Sequence, residues 1–216
     1  MKRWLLLLGV VIAAAGLTVS ILGMFRFMRR VYITPATSIQ PEPRYADLTI
    51  PPFVLTDQDG RRVDEEMFQG RITVLDFIFT NCPFACPMMT LAMQDIAKAL
   101  PHTQVRFVSI SVDPQRDTPE RLRQYATDRG IDLSRWSFLT GDFQTVKSIA
   151  SGALMFALEE DPARPIRLPD GTSMSNILHP TKLILIGPDG KVHGIYSSED
   201  PETVRELAHH ARQLAK

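Results

Sequence analysis

Apolar and polar positions follow three regimes along the 216-residue chain. The first is a continuous apolar run: Trp4 to Phe25 is 22 residues without a charge, and roughly 20 helical residues span the hydrocarbon core of a bilayer. The second has no period, since residues 31–48 set Pro35, Pro41 and Pro43 among Thr, Ser, Gln and Glu; such a stretch reads as a tether. The third alternates strand-like and helix-like segments. Phe53-Val54-Leu55 and Arg61-Arg62-Val63 flank Asp59-Gly60, a hairpin signature. Arg71 to Thr80 is a β-branched and aromatic run suited to a buried strand. Met89, Ala92, Met93, Ile96, Ala97 and Leu100 then repeat at helical spacing, with Pro87 in the first turn.

Val105 to Val112 predicts a second strand, and Thr118-Pro119-Glu120 opens a helix that Gly130 can close. Asp142 caps a third helix with Val146, Ile149, Ala150 and Ala153 on one face. Leu183–Ile186 and Val192–Tyr196 form a hairpin about Pro188-Asp189-Gly190, and Asp200-Pro201 starts a last helix that turns Val204, Leu207, Ala208 and Ala211 inward. Residues 157–178 read as irregular. The alternation predicts an α/β domain with a central sheet and helices on both faces. The chain therefore divides into an anchor at 1–30, a linker at 31–48 and one domain at 49–216.

Charge refines this division. Lys2, Arg3, Arg26, Arg29 and Arg30 lie in the first thirty residues, which hold no acid. The remainder carries 19 basic against 24 acidic side chains, a formal −5. No basic stripe or aromatic platform for nucleic acid accompanies it. Basic residues flank the apolar run on both sides, so positive charge alone does not orient it. A cleaved signal peptide is the competing reading, with Leu5–Ile12 as its apolar core and Ala13-Ala14-Ala15 as its cleavage site. The run continues ten residues past Ala15, which favours an uncleaved anchor, and a bacterial inner-membrane location is the simplest one.

Candidate chemistry concentrates in Thr80-Asn81-Cys82-Pro83-Phe84-Ala85-Cys86-Pro87, which holds the chain's only two cysteines. They are four apart where a strand passes into a helix. A helix N-terminus stabilises a thiolate, and the carboxyl end of a strand is where open α/β sheets bind ligands. Two inert buried cysteines are the bland alternative. A permanent disulfide is another, but it would close a very small loop and gain little chain entropy; a reversible bridge makes better sense. Two thiolates and one imidazole would suit Cu(I), whereas structural zinc takes four ligands. Of the five histidines, His209 and His210 lie off the apolar stripe of the last helix, and His102 and His193 belong to turn and hairpin. His179 directly precedes Pro180 and the strand KLILI.

The segments DFIFTNCPFACP, SISVDPQRDTPERL, SFLTGDFQTVKSIA and HPTKLILIGPDGKV, in that order, resemble the Sco/SenC family of copper-binding assembly factors for cytochrome c oxidase. The resemblance spans about residues 50–215. It implies a thioredoxin-like domain with a central mixed sheet flanked by helices, preceded by one transmembrane helix. It also implies Cys82 and Cys86 as copper thiolates, His179 as third ligand, and a domain on the periplasmic side of the membrane. Two positions depart from the family pattern: Leu178 replaces a common Asp before the histidine, and Phe84 an acidic residue after Cys-Pro. Their loss makes the site less negative without removing a Cu(I) ligand. His179-Pro180-Thr181 is similar to the residue, cis-proline and threonine that face the cysteines in thioredoxin-type oxidoreductases, which sets a cis bond at Pro180 as an expectation.

Three readings follow. The first is a metallochaperone that carries copper, as Cu(I) or in a second state Cu(II), to subunit II of cytochrome c oxidase or another copper acceptor. The second is a thiol–disulfide oxidoreductase with Cys82 attacking and Cys86 resolving. The third is a copper or redox sensor that acts by docking. Among the methionines Met88, Met89, Met93, Met155 and Met174, helical spacing puts Met89 and Met93 in the core, and Met174 is the one candidate thioether ligand. Asp76, within the first central strand, is either a proton acceptor for a thiol or a strand-edge residue with a local hydrogen bond.

Overall fold

The computed structural model describes residues 45, 47–168 and 170–216. The expected membrane anchor, and nearly all of the linker, lie outside them. Among the described residues no helix is long and apolar enough to cross a membrane.

Among the described residues nine strands form: β1 (Val54–Asp57), β2 (Arg62–Asp64), β3 (Thr73–Ile78), β4 (Arg106–Ser111), β5 (Trp136–Thr140), β6 (Glu159–Arg167), β7 (Ser173–Leu178), β8 (Lys182–Ile186) and β9 (Val192–Ser197). Seven make one sheet in the order β2-β1-β5-β4-β3-β8-β9. Its centre, β5-β4-β3, is parallel, while β1 and β8 join it antiparallel. This is the mixed sheet that the thioredoxin-like expectation requires. Strand β3 is buried at every position, as befits a strand with neighbours on both sides and packing on both faces.

The helices are α1 (Ala85–Ala99), α2 (Pro119–Asp128), α3 (Phe143–Lys147) and α4 (Pro201–Leu214). Their starts match the sequence signals. Thr118, Asp142 and Asp200 each accept a backbone N–H from the first turn, which satisfies donors that a helix end leaves open. Pro119 and Pro201 follow two of these caps, where a missing N–H costs nothing. Gly130 closes α2 at φ +61°, a conformation open to glycine.

Successive right-handed crossovers between β3, β4 and β5 put α1 and α2 on the same face of the sheet. Thr90 Oγ1 and Tyr125 OH share a hydrogen bond of 2.9 Å across that pair. Helix α4 packs beside α1, with Arg212 donating to the Ala99 carbonyl. The three long helices therefore gather on one face of the sheet.

Two strand assignments differ from the sequence reading. WSFLT (residues 136–140) is the strand β5, buried at four of five positions. Residues 157–178 are largely a separate antiparallel hairpin, β6–β7, with a register irregularity between Asp161 and Ile166. That irregularity, together with Pro162 and Pro165, breaks the period-two pattern by which a strand is recognised. The third helix continues past Lys147 as a π-helical turn, Ser148–Ala153, so that Val146, Ile149 and Ala150 are buried.

Candidate metal centre

The site forms where β3 ends and α1 begins. Residues 79–84 turn the chain through a tight loop, so Cys82 precedes the helix and Cys86 lies in its first turn. Cys86 is buried on the inner stripe that also holds Met89, Thr90, Met93 and Ile96, whereas Cys82 is half-buried. The Phe79 N–H donates to Cys86 Sγ at 3.4 Å, and the Cys86 N–H to Cys82 Sγ at 3.3 Å. One backbone donor from the strand end and one from the first helical turn thus reach the two sulfurs at the strand-to-helix junction.

His179 arrives from the other side of the sheet centre. It follows β7 and precedes β8, the antiparallel neighbour of β3. Its Nε2 is 3.3 Å from Cys86 Sγ, and its Nδ1 is 3.3 Å from the Pro180 carbonyl. A carbonyl only accepts, so the Pro180 contact calls for a proton on Nδ1; Nε2 then turns a lone pair to the sulfurs in the neutral ring and an N–H to them in the charged one. Phe79 meets the imidazole edge-on, with ring centroids 5.6 Å apart. One donor atom each from Cys82, Cys86 and His179 lies within 4.8 Å of the others. Among the described residues they are the only such group of His, Cys, Asp or Glu. Two sulfurs and one imidazole, with no fourth donor, suit a soft three-coordinate ion.

The two thiols are electrostatically unequal. The Cys86 thiol donates towards Cys82, and that hydrogen bond, with help from His179 and the N–H groups of Cys86 and Phe84, outweighs burial and lowers the Cys82 pKa to about 4. Cys86 moves the opposite way: burial and the neighbouring Cys82 thiolate push its thiol well above the ordinary range. The outer sulfur is thus the one favoured as a thiolate and the inner sulfur the one favoured as a thiol.

The remaining candidates lie elsewhere. Met174 is buried, but it lines a cavity with Asp113, Arg116 and Glu160, away from the sulfurs. Met88 and Met155 are exposed; Met89 and Met93 are core. His102 and His209 are exposed, and His210 is half-buried against the Tyr196 hydroxyl at 2.5 Å. His193 is buried in the hairpin, with Nε2 3.1 Å from Asp189. The His179–Pro180 bond is trans, the ordinary state of an X–Pro bond, and the histidine reaches the sulfurs without a cis turn.

Asp76 is not an edge residue. It is fully buried on β3, and neither carboxylate oxygen has a hydrogen-bond partner. Burial raises its pKa to about 7, with Ser109 and His179 pulling the other way.

A second carboxylate does positional work that the sequence reading did not assign. Asp117, fully buried, accepts from the Thr80 N–H at 3.1 Å, the Thr80 hydroxyl at 2.5 Å and the Ser111 hydroxyl at 2.6 Å. Arg121 donates to the same Thr80 hydroxyl at 3.1 Å. The segment just ahead of Cys82 is thereby tied to the end of β4 and the start of α2. The Asp-Thr-Pro of the second quoted segment was the available signal.

Comparison with known proteins agrees with this geometry. The SCO1/SenC family model matches residues 41–216. The SCO1 protein homolog of Bacillus subtilis is 38% identical over 145 residues, covering 66% of this chain and 70% of the relative. A solved structure of BsSco, described as a member of the Sco family of cytochrome c oxidase assembly proteins with a disulfide switch, aligns with a TM-score of 0.67 at 29% identity, covering 82% of this chain and 97% of that one. Bradyrhizobium japonicum ScoI, solved with copper bound, aligns at 0.63 and 25% identity, covering 77% and 99%. The mixed sheet, the cysteine pair at its strand end and the match over nearly the whole domain converge on one assignment: the chain belongs to the SCO1/SenC family, with its thioredoxin-like fold.

Proposed function

We propose that the chain binds Cu(I) through Cys82, Cys86 and His179 and passes it to a copper acceptor, the dinuclear copper site of cytochrome c oxidase subunit II. The observation that carries this reading is the convergence of three soft or borderline donor atoms within 4.8 Å. Cys82 supplies a thiolate at once, and Cys86 releases its proton as the metal arrives, so loading is accompanied by proton release. Cu(I) then leaves by stepwise exchange, with the neutral imidazole the ligand most readily replaced by an acceptor thiolate. The copper-bound relative and the family's role in oxidase assembly support the reading.

The apolar run Trp4–Phe25 supports a single-pass anchor in a bacterial inner membrane, with the domain on the periplasmic side. A periplasm-active reporter joined to the C-terminus reads that orientation; a silent reporter excludes it.

The unequal thiols favour a second reading, disulfide reduction. The Cys82 thiolate attacks a target disulfide, one target sulfur leaves as a thiolate and takes a proton, and Cys86 then gives up its own proton and displaces the second sulfur, leaving Cys82–Cys86 oxidised.

Anaerobic Cu(I) titration of the reduced chain against a competing chelator separates the two. One tight equivalent is expected, lost in Cys82→Ser and weakened at least tenfold in His179→Ala. If His179→Ala holds copper as tightly as the parent, the three-donor site is wrong. Vigorous disulfide turnover without copper retention on the same samples would replace the first reading with the second.

A further inference from the structure

Helix α1 has two apolar faces where a surface helix needs one. The inner face is core. On the outer face Phe84, Met88 and Leu91 follow the i, i+4, i+7 spacing, at 81%, 63% and 51% exposure. Phe84 also stands at the N-cap, between the two cysteines, and its side chain caps nothing. A Ser, Asp or Asn would satisfy an open N–H there, so an exposed Phe forfeits stability at this position. Leu178, 43% exposed, adds to the same surface from the residue before His179.

Two clefts flank this stripe and share Phe84, Ala85 and Thr181. One, of about 680 Å³, opens onto Cys82 and His179 and is walled opposite by the β6–β7 hairpin, which contributes Arg164 and Arg167. No carboxylate lines it. Arg164 reaches only Asp161, at 3.5 Å with 80% of its own side chain exposed, and the Arg167 guanidinium has no partner among the described residues. A cationic cleft in a domain of formal charge −4, with 18 basic against 22 acidic side chains over residues 49–216, is a local feature that net charge does not explain. An apolar patch with arginine at its rim is the composition of a protein interface, and complementarity requires carboxylates opposite.

We infer that this cleft and the outer face of α1 form a docking surface for a segment of a partner protein that presents an apolar side chain flanked by carboxylates. The inference rests on the copper-acceptor reading for what the partner is, but not for the presence of the surface. The apolar side chain lies against Phe84 and Leu178, and its flanking carboxylates pair with Arg164 and Arg167. An acceptor seated this way has its own donor atoms beside Cys82 and His179, the two ligands that face the cleft. A concave cleft built into the ligand site fits a chain segment better than the plane of a bilayer.

The test uses the reduced, metal-free full chain in zwitterionic nanodiscs and a displayed library of random heptapeptides. Recovered peptides are expected to carry Asp or Glu on both sides of an aromatic or large aliphatic residue. A synthesised winner should bind the parent, bind Arg164→Gln/Arg167→Gln at least tenfold more weakly, and bind Phe84→Ser at least fivefold more weakly, with both variants retaining the parent's far-UV dichroism and melting temperature. Recovery of basic peptides only, or of acidic ones whose affinity neither variant moves, overturns the inference. So does vesicle binding or self-association of the parent that the same substitutions abolish without any peptide selection. Because no copper is present, failure here leaves the copper reading intact, and failure of the copper titration leaves this surface standing.

Discussion

Asp76 shows at the scale of a single residue how a buried group costs stability. A carboxylate that loses water without gaining a hydrogen bond resists ionisation, and its pKa of about 7 against an ordinary 3.8 means the folded state holds the proton more tightly than the unfolded state. Stability from this group is therefore intact below pH 3.8 and falls as pH rises towards 7, by on the order of 4 kcal/mol for a shift of this size. Cys82 has the opposite sign: its lowered pKa contributes stability that is complete above its ordinary value of 9.0 and lost as pH falls towards 4. The two overlap, so the useful quantity is a difference. Chemical denaturation of the parent and Asp76→Asn at pH 5 and pH 8 should show the parent losing several kcal/mol relative to the variant between the two. An unchanged difference would mean that Asp76 is already ionised in the native state. The chain pattern placed Asp76 in a strand but could not tell an edge from a centre, because that depends on β4 and β8 arriving on either side.

Neighbouring residues act differently at the scale of elements. Thr118 caps α2 through the Arg121 N–H at 3.3 Å, an interaction confined to one helix, whereas Asp117 joins the cysteine approach, β4 and α2. Thr118→Ala should cost about 1 kcal/mol and leave Cu(I) affinity unchanged. Asp117→Asn keeps the shape but places an amide nitrogen among donors, and should weaken Cu(I) binding as well as stability. Equal copper affinity in both variants would reduce Asp117 to ordinary scaffolding. Elements with their own signals were legible in sequence: capped helices, the Asp59-Gly60 and Asp189-Gly190 turns, and the long strands 73–78 and 106–111. What stayed hidden was β5, a five-residue run between the signals of two helices, and the β6–β7 hairpin, whose prolines and irregular register mask its period. The two cysteines were legible as a reactive pair from their place at a helix start. His179 was not, since its partner sulfurs lie in another strand–helix unit and only the family resemblance pointed to it. The cleft arginines escaped notice because they sit on the hairpin that read as irregular.

The whole molecule couples folding to ligand binding. An ion that binds only the folded, reduced state stabilises it in proportion to the logarithm of its free concentration over the dissociation constant, about 4 kcal/mol at a thousandfold excess. Thermal unfolding of the reduced chain should therefore rise with buffered Cu(I), while the oxidised chain, its sulfurs joined, should not respond. A melting temperature that Cu(I) raises equally in both forms would place the ion elsewhere. The sequence separation of 93 positions between Cys86 and His179 carries a further consequence. A nascent or heat-damaged chain can still clasp a copper ion between two sulfurs four positions apart, but the third donor exists only after β8 has docked beside β3. If the chain loads copper as proposed, tight loading would act as a proofreading step on assembly, since only a correctly finished chain offers all three donors.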